Sequence, residues 1–148
     1  MESETAQTLI RAVGVVAIGC AAYGLYYNST TFHATFRRPP EPDEPVYFRQ
    51  AFYTLSAICI VFYVLLGWVG VAFVIGRSGL WSLFVALMVA EVTFFIAVTA
   101  LWRYSPHAMS IAAASGVSSG GLMAQFIILF PLWAPIIVWF AQQRLRMP

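Results

Sequence analysis

The sequence predicts an all-α integral membrane protein in which four transmembrane helices form one bundle. Of the 148 residues, 61% are hydrophobic and only 9% are charged, whereas a soluble domain has roughly a quarter of its residues charged. Four apolar runs are each long enough to cross a bilayer, for which a helix needs about 20 residues. These runs do not alternate as the strands of a membrane barrel do, so helices are the structure that satisfies their backbone in lipid.

The four spans follow one another along a single membrane domain, 1–148. They are expected at about 8–27, 51–75, 80–102 and 122–141. The leading segment of the first span, "MESETAQTLIR", carries two acids and one arginine. A cleaved signal peptide begins instead with a positively charged region, so we predict that the first span stays in the protein.

The connecting segment 28–50 is rich in proline and charge. Its prolines favour an extended, polyproline-like run; they are Pro39, Pro40, Pro42 and Pro45. We interpret the segment as a stiff connector or as a docking surface for a partner protein. The candidate docking residues are Arg37, Arg38, Glu41, Asp43 and Glu44.

The segment 103–121, before the last span, consists largely of small residues. It is expected to form a short interfacial helix or a re-entrant segment, which the bilayer tolerates where protein or water covers the backbone. Pro131 and Pro135 lie inside the last span and predict a kink there.

Stripes of small residues predict where the helices pack, because small side chains let two backbones approach closely in lipid. The first three spans each carry one stripe at spacings of three and four residues, which places it on one helix face. In the first span the stripe is Gly14, Ala17, Ala21 and Gly24. In the second it is Ser56, Cys59, Tyr63, Gly67 and Gly70. In the third it is Ala86, Ala90, Thr93, Ala97 and Ala100.

Glu91 is an acid in the middle of the third span, within "LMVAEVTFF". Helical phase places it roughly 140° from the centre of the small-residue stripe. An unpaired charge at mid-depth costs at least about 2.5 kcal/mol, and the uncharged acid is the cheaper state in apolar surroundings. Three interpretations stay open: a hydrogen bond to Tyr63, Ser56 or Gln125, an interface with a second copy or a partner subunit, or a site that carries protons or ions.

The basic residues are all arginine, which suggests a GC-rich bacterial genome and hence a bacterial inner membrane. Arginines near the span ends are divided evenly between the two sides of the membrane, so the positive-inside rule does not orient the chain. One side has Arg11, Arg77, Arg144 and Arg146, and the other has Arg37, Arg38, Arg49 and Arg103. We expect both termini in the cytoplasm, since long loops translocate largely regardless of their charge.

The length, the four spans and the run "PPEPDEPVYFRQ" before the second span resemble the membrane-associated glutathione and eicosanoid enzymes, which are small trimeric four-helix proteins. That family carries an asparagine and an acid early in its second span, where this chain has "AFYTLSA". Its glutathione-binding arginines of the third span also have no counterpart here. The resemblance therefore implies a shared architecture, with glutathione or lipid chemistry as a remote alternative function.

No enzyme motif is present: the sequence shows no paired carboxylates in the spans, no serine–histidine–acid set and no metal box. A net charge of +2 without a basic patch gives no reason to expect nucleic acid as a partner, and no cofactor is expected. We predict a non-enzymatic scaffold or accessory subunit that binds partner membrane proteins or itself within the lipid bilayer. The alternative is a small oligomeric transporter or channel, coupled to protons or ions through Glu91.

Overall fold

The computed structural model describes residues 2–37, 39, 46–102 and 122–146. These residues form four long helices, which confirms the predicted all-α class. They are α1 (Glu2–Arg37), α2 (Val46–Val74), α3 (Trp81–Trp102) and α4 (Leu122–Arg146). The segment 103–121, predicted to be interfacial or re-entrant, lies outside the described residues.

Among the described residues, two helices contain stretches that are long and apolar enough to cross a membrane, Glu4–Thr30 and Tyr53–Val74. A shorter apolar stretch, Trp81–Phe94, belongs to α3. Much of the outer surface is apolar as well, and its exposed large side chains include Val61, Val64, Trp68, Ile96, Leu132, Trp139 and Phe140.

The first helix is longer than the predicted span and continues to Arg37. It ends just before Pro39 and Pro40, which fits the steric rule that a residue preceding proline avoids the helical conformation. The predicted connector 28–50 is therefore shorter, because α2 already begins at Val46, directly after Pro45. Asn28 lies within α1, 2% exposed, and its Nδ2 donates a hydrogen bond to the Gly24 carbonyl oxygen at 2.9 Å.

A tight turn joins α2 to α3. The Arg77 amide donates to the Ala72 carbonyl at 2.8 Å, and the Gly76 amide donates to the Phe73 carbonyl at 3.1 Å. This pair of bonds is the Schellman arrangement that closes many helices. Gly76 has φ of +84°, a left-handed conformation that costs glycine little because it has no Cβ. A short 3₁₀ turn, Ser78–Leu80, then leads into α3.

The small-residue stripes of α1 and α2 lie against each other. A Cβ built on Gly14 would lie 2.7 Å from the Gly70 carbonyl oxygen, and one built on Gly70 would lie 2.8 Å from the Gly14 carbonyl oxygen. Further along, a Cβ on Gly67 would approach the Ala21 side chain to 3.3 Å. Ala17, between these contacts, is fully buried. These two helices therefore pack backbone to backbone, as small residues permit.

The third stripe, with Ala86, Ala90 and Ala97, does not pack in this way against the described helices. All three are exposed, while the opposite face of α3 buries Phe84 and Met88. The physical reason is that aromatic side chains fill the space between α3 and its neighbours, so close backbone approach is not needed.

Phe84 is the centre of that aromatic contact. Its ring centroid lies 5.2 Å from that of Phe73 on α2 and 6.1 Å from that of Phe130 on α4, both in edge-to-face geometry. Phe130 in turn meets Trp133 at 5.2 Å. Such geometries are the preferred ones for aromatic pairs. One aromatic cluster thus joins α2, α3 and α4 near the α2–α3 turn, seven residues before Glu91.

Candidate functional site: an acidic cavity between two helices

Glu91 lies inside the bundle. Only 6% of it is exposed, because the face of α3 that turns inward is the face opposite the small-residue stripe. Leu87, one helical turn earlier, and Phe84, two turns earlier, are buried on the same side, as the helical period requires. The position of Glu91 near the middle of α3 places it far from both helix ends.

A cavity of about 160 Å³ lies beside Glu91, between α2 and α3. Its lining residues from α2 occupy one face of that helix at spacings of one, three and four residues, and those from α3 do the same. The α2 wall is Ile58, Cys59, Phe62 and Tyr63, and the α3 wall is Ala90, Glu91 and Phe94. Three of these seven described residues are aromatic, and among them only Glu91, Tyr63 and Cys59 bring polar side-chain atoms.

The carboxyl group is incompletely satisfied. Glu91 Oε2 is buried and has no hydrogen-bond partner among the described residues. Leaving such an acceptor without a hydrogen bond costs about 1–3 kcal/mol, and protein interiors seldom contain an unsatisfied acceptor. An orphaned acceptor beside a cavity of this size marks the place where a donor from a bound molecule would fit.

Tyr63 is held in position by α1. A Cβ built on Gly24 would collide with the Tyr63 ring atoms Cε1, Cζ and Cε2, so the ring lies directly over the glycine. Phe62, its neighbour in the chain, meets the Tyr63 ring edge to face at 5.1 Å between centroids. The glycine stripe of α1 thus does more than bring α1 close to α2, because it also makes room for one wall of the cavity.

The cavity reaches the side of the bundle rather than either end. Ile58 is 56% exposed and Ala90 is exposed as well, and both belong to the cavity lining. Phe62 and Phe94, which also line the cavity, are half-buried. A molecule would therefore reach Glu91 laterally, between α2 and α3.

The three residues predicted as hydrogen-bond partners of Glu91 lie in different places. Tyr63 shares the cavity with Glu91. Ser56 is buried on α2 but does not line the cavity. The Gln125 side chain lies outside the described residues, although its backbone belongs to α4.

The other predicted site residues lie away from this cavity. Arg37 is exposed at the end of α1, while Arg38, Glu41, Asp43 and Glu44 fall outside the described residues. In the described part of the chain, no three His, Cys, Asp or Glu side chains come together as a metal site. Cys20 and Cys59 are both free thiols.

Sequence reasoning did not identify Ile58, Phe62 and Phe94 as cavity residues, and it assigned Cys59 only to a packing stripe. One signal was available: in antiparallel helices joined by a short turn, residues equally far from the turn lie at the same depth. Glu91 and Tyr63 are each about ten residues from the turn, so their depths match. The sequence did not show how α3 is rotated about its own axis, and this rotation decides which of its faces meets α2.

Comparison of the chain with known protein families, with curated proteins and with solved structures finds no match. Function is therefore inferred from the residues and from the geometry of the cavity.

Proposed function

We propose that the protein is an integral membrane protein whose four helices cross the bilayer and which binds a small ligand at Glu91 within the membrane. The observation that carries this proposal is the buried Glu91 carboxyl group, whose Oε2 has no partner among the described residues and which lines a cavity.

The membrane part of the proposal is supported by the apolar surface. Side chains such as Trp68, Trp139 and Phe140 are about half exposed, and a monomeric soluble protein seldom exposes contiguous apolar patches larger than a few hundred Å². The low share of charged residues, 9%, points the same way. In a bilayer these side chains would lie in a favourable environment.

The ligand part is supported by the cost of keeping an acid at this depth. A leucine would fill the position without an unsatisfied acceptor, so packing alone gives no reason for a carboxyl group. Ionisable residues inside membrane helices generally mark pathways or binding sites. Because the cavity opens laterally, the ligand would come from the bilayer, and this arrangement fits a binding or transport protein better than an aqueous pore.

The proposal is tested by native mass spectrometry of the protein in nanodiscs prepared from its own membranes. We expect a small molecule bound to the wild type and at least a tenfold lower occupancy in Glu91→Gln. Glu4→Gln, which changes an exposed acid of α1, is the matched control and should keep the wild-type occupancy. Equal occupancy in Glu91→Gln and in the wild type would contradict the proposal.

A second candidate function is a scaffold or accessory subunit that associates with a second copy of the chain. The exposed stripe of Ala86, Ala90, Thr93 and Ala97 on α3 favours it, since the α1–α2 contact illustrates how this chain packs small residues. The double variant Ala86→Leu with Ala97→Leu should then reduce the mass of the complex in mild detergent to that of a monomer. Ala22→Leu, at an exposed alanine of α1, should not. A monomeric wild type would contradict self-association.

A further inference from the structure

We propose that the ligand of the Glu91 cavity is a small organic ammonium ion that carries a single ring or an apolar group of similar size, and that it enters in exchange for a proton. This inference names the ligand class of the proposed site and therefore rests on the proposed function.

The volume of the cavity limits the apolar part of the ligand. At about 160 Å³ it is close to the size of a dry, engineered cavity of about 150 Å³ that takes up benzene in another protein. One six-membered ring therefore fits, whereas a lipid tail or a fused-ring molecule would need the walls to move apart.

The polar groups of the cavity determine the charge of the ligand. Glu91, Tyr63 and Cys59 all offer acceptor atoms, namely the carboxylate, the phenol oxygen and, more weakly, the thiol sulfur. No arginine is among the described residues that line the cavity, so the lining side chains supply no cation for Glu91. An ammonium group has three N–H donors and would satisfy the orphaned Oε2 with a charge-assisted bond.

The aromatic walls favour an organic cation over a metal ion. Phe62, Tyr63 and Phe94 line the cavity, and the face of an aromatic ring attracts a cation, more strongly when water is excluded. Calcium and magnesium require about six oxygen ligands, and the described lining side chains offer only those of one carboxylate and one phenol. Its remaining surface is carbon and sulfur, which suits the apolar body of an amine.

Proton exchange follows from the electrostatics of the site. In apolar surroundings a carboxyl group without a counter-ion favours its neutral form. Binding of R–NH₃⁺ then breaks the O–H bond of Glu91, releases one proton to water and forms a carboxylate–ammonium pair. The cavity takes up the positively charged ammonium ion and gives up one proton, so its net charge does not change.

The other titratable groups near Glu91 do not supply a competing charge. Among the described residues they are Cys59 and Tyr63 on α2, and Cys20 on α1. A thiol and a phenol are uncharged at neutral pH. The described side chains of α4 add no titratable group to the cavity lining. Glu91 is therefore the residue that would exchange its proton for the ligand.

The test uses three probes of one shape in phosphatidylcholine nanodiscs: benzylamine, benzyl alcohol and toluene. Each is assayed by its protection of Cys59 from N-ethylmaleimide, followed by peptide mass spectrometry. We expect benzylamine to protect wild-type Cys59 at a concentration at least tenfold below that of benzyl alcohol. This advantage should disappear in Glu91→Gln and persist in Glu4→Gln.

The outcomes separate the two proposals. If all three probes protect Cys59 equally in the wild type, the ammonium proposal is overturned while a ligand site at the cavity stands. If none protects, the ligand site itself is contradicted.

A measurement on the wild type alone guards against a variant that fails to fold. Benzylamine stays protonated at pH 5 and at pH 7, so its affinity should fall with decreasing pH, by at most tenfold per unit for one exchanged proton. Benzyl alcohol should show no such change. An affinity of benzylamine that is the same at both pH values would overturn proton exchange.

Discussion

Gly14 and Gly70 bring α1 and α2 into backbone contact: a Cβ built on either glycine would lie within 2.8 Å of the other's carbonyl oxygen. Neither carbonyl can move like the end of a flexible side chain. The contact therefore sets the separation of the two helices, and with it the place of Tyr63 over Gly24 farther along the same interface.

We predict that Gly14→Ala lowers the free energy of unfolding by about 1–3 kcal/mol, the usual cost of forcing an extra carbon into a well-packed contact. The matched control is Gly19→Ala, on the same helix, where a Cβ would meet nothing within 4 Å. Alanine is the better helix former by about 1 kcal/mol, so the control should be neutral or stabilising. Unfolding by SDS in mixed micelles measures both, and equal effects would contradict the close contact.

The aromatic cluster gives a second prediction. Phe84 is completely buried and contacts both Phe73 and Phe130, so Phe84→Ala should cost about 3–5 kcal/mol. Phe140→Ala removes the same group from a side chain that is 58% exposed, and it should cost less than about 1 kcal/mol. The two variants are compared by thermal denaturation in detergent. A similar loss for both would mean that Phe84 does not hold α3 to its neighbours.

Glu91 yields a prediction about stability that is independent of any ligand. Because Oε2 is an unsatisfied buried acceptor, Glu91→Leu should raise the free energy of unfolding by about 1–3 kcal/mol. Glu91→Gln keeps a polar group of the same shape without a partner at this buried position, so it should not share this stabilisation. A destabilising Glu91→Leu would indicate that the carboxyl group is bonded in the folded protein.

The two thiols should differ in accessibility. Cys59 is half-buried and lines the cavity, whereas Cys20 is buried on α1. With a small membrane-permeant maleimide we expect Cys59 to be modified at least tenfold faster than Cys20, as followed by peptide mass spectrometry. Denatured protein, in which the two thiols should react at similar rates, is the control. Equal rates in the folded protein would exclude a laterally open cavity.

The sequence by itself determined the four helices and the faces on which α1 and α2 meet. Long apolar runs without the alternation of strands favour helices, and glycine at positions such as 14 and 70 allows a closeness that larger residues forbid. The prolines after Arg37 also determined where α1 had to end, although the helix continues farther than its predicted span.

Only the tertiary structure decided which face of α3 points inward. The alanine stripe permits close packing but does not require it. A face with large rings such as Phe84 can also turn inward, where the rings fill a wider space between the helices. Whether the alanine face or the aromatic face of α3 turns inward depends on where α2 and α4 lie, and the local sequence does not encode that position. The inward face carries Glu91 with it, so the same choice placed the carboxyl group beside Tyr63 and created the cavity.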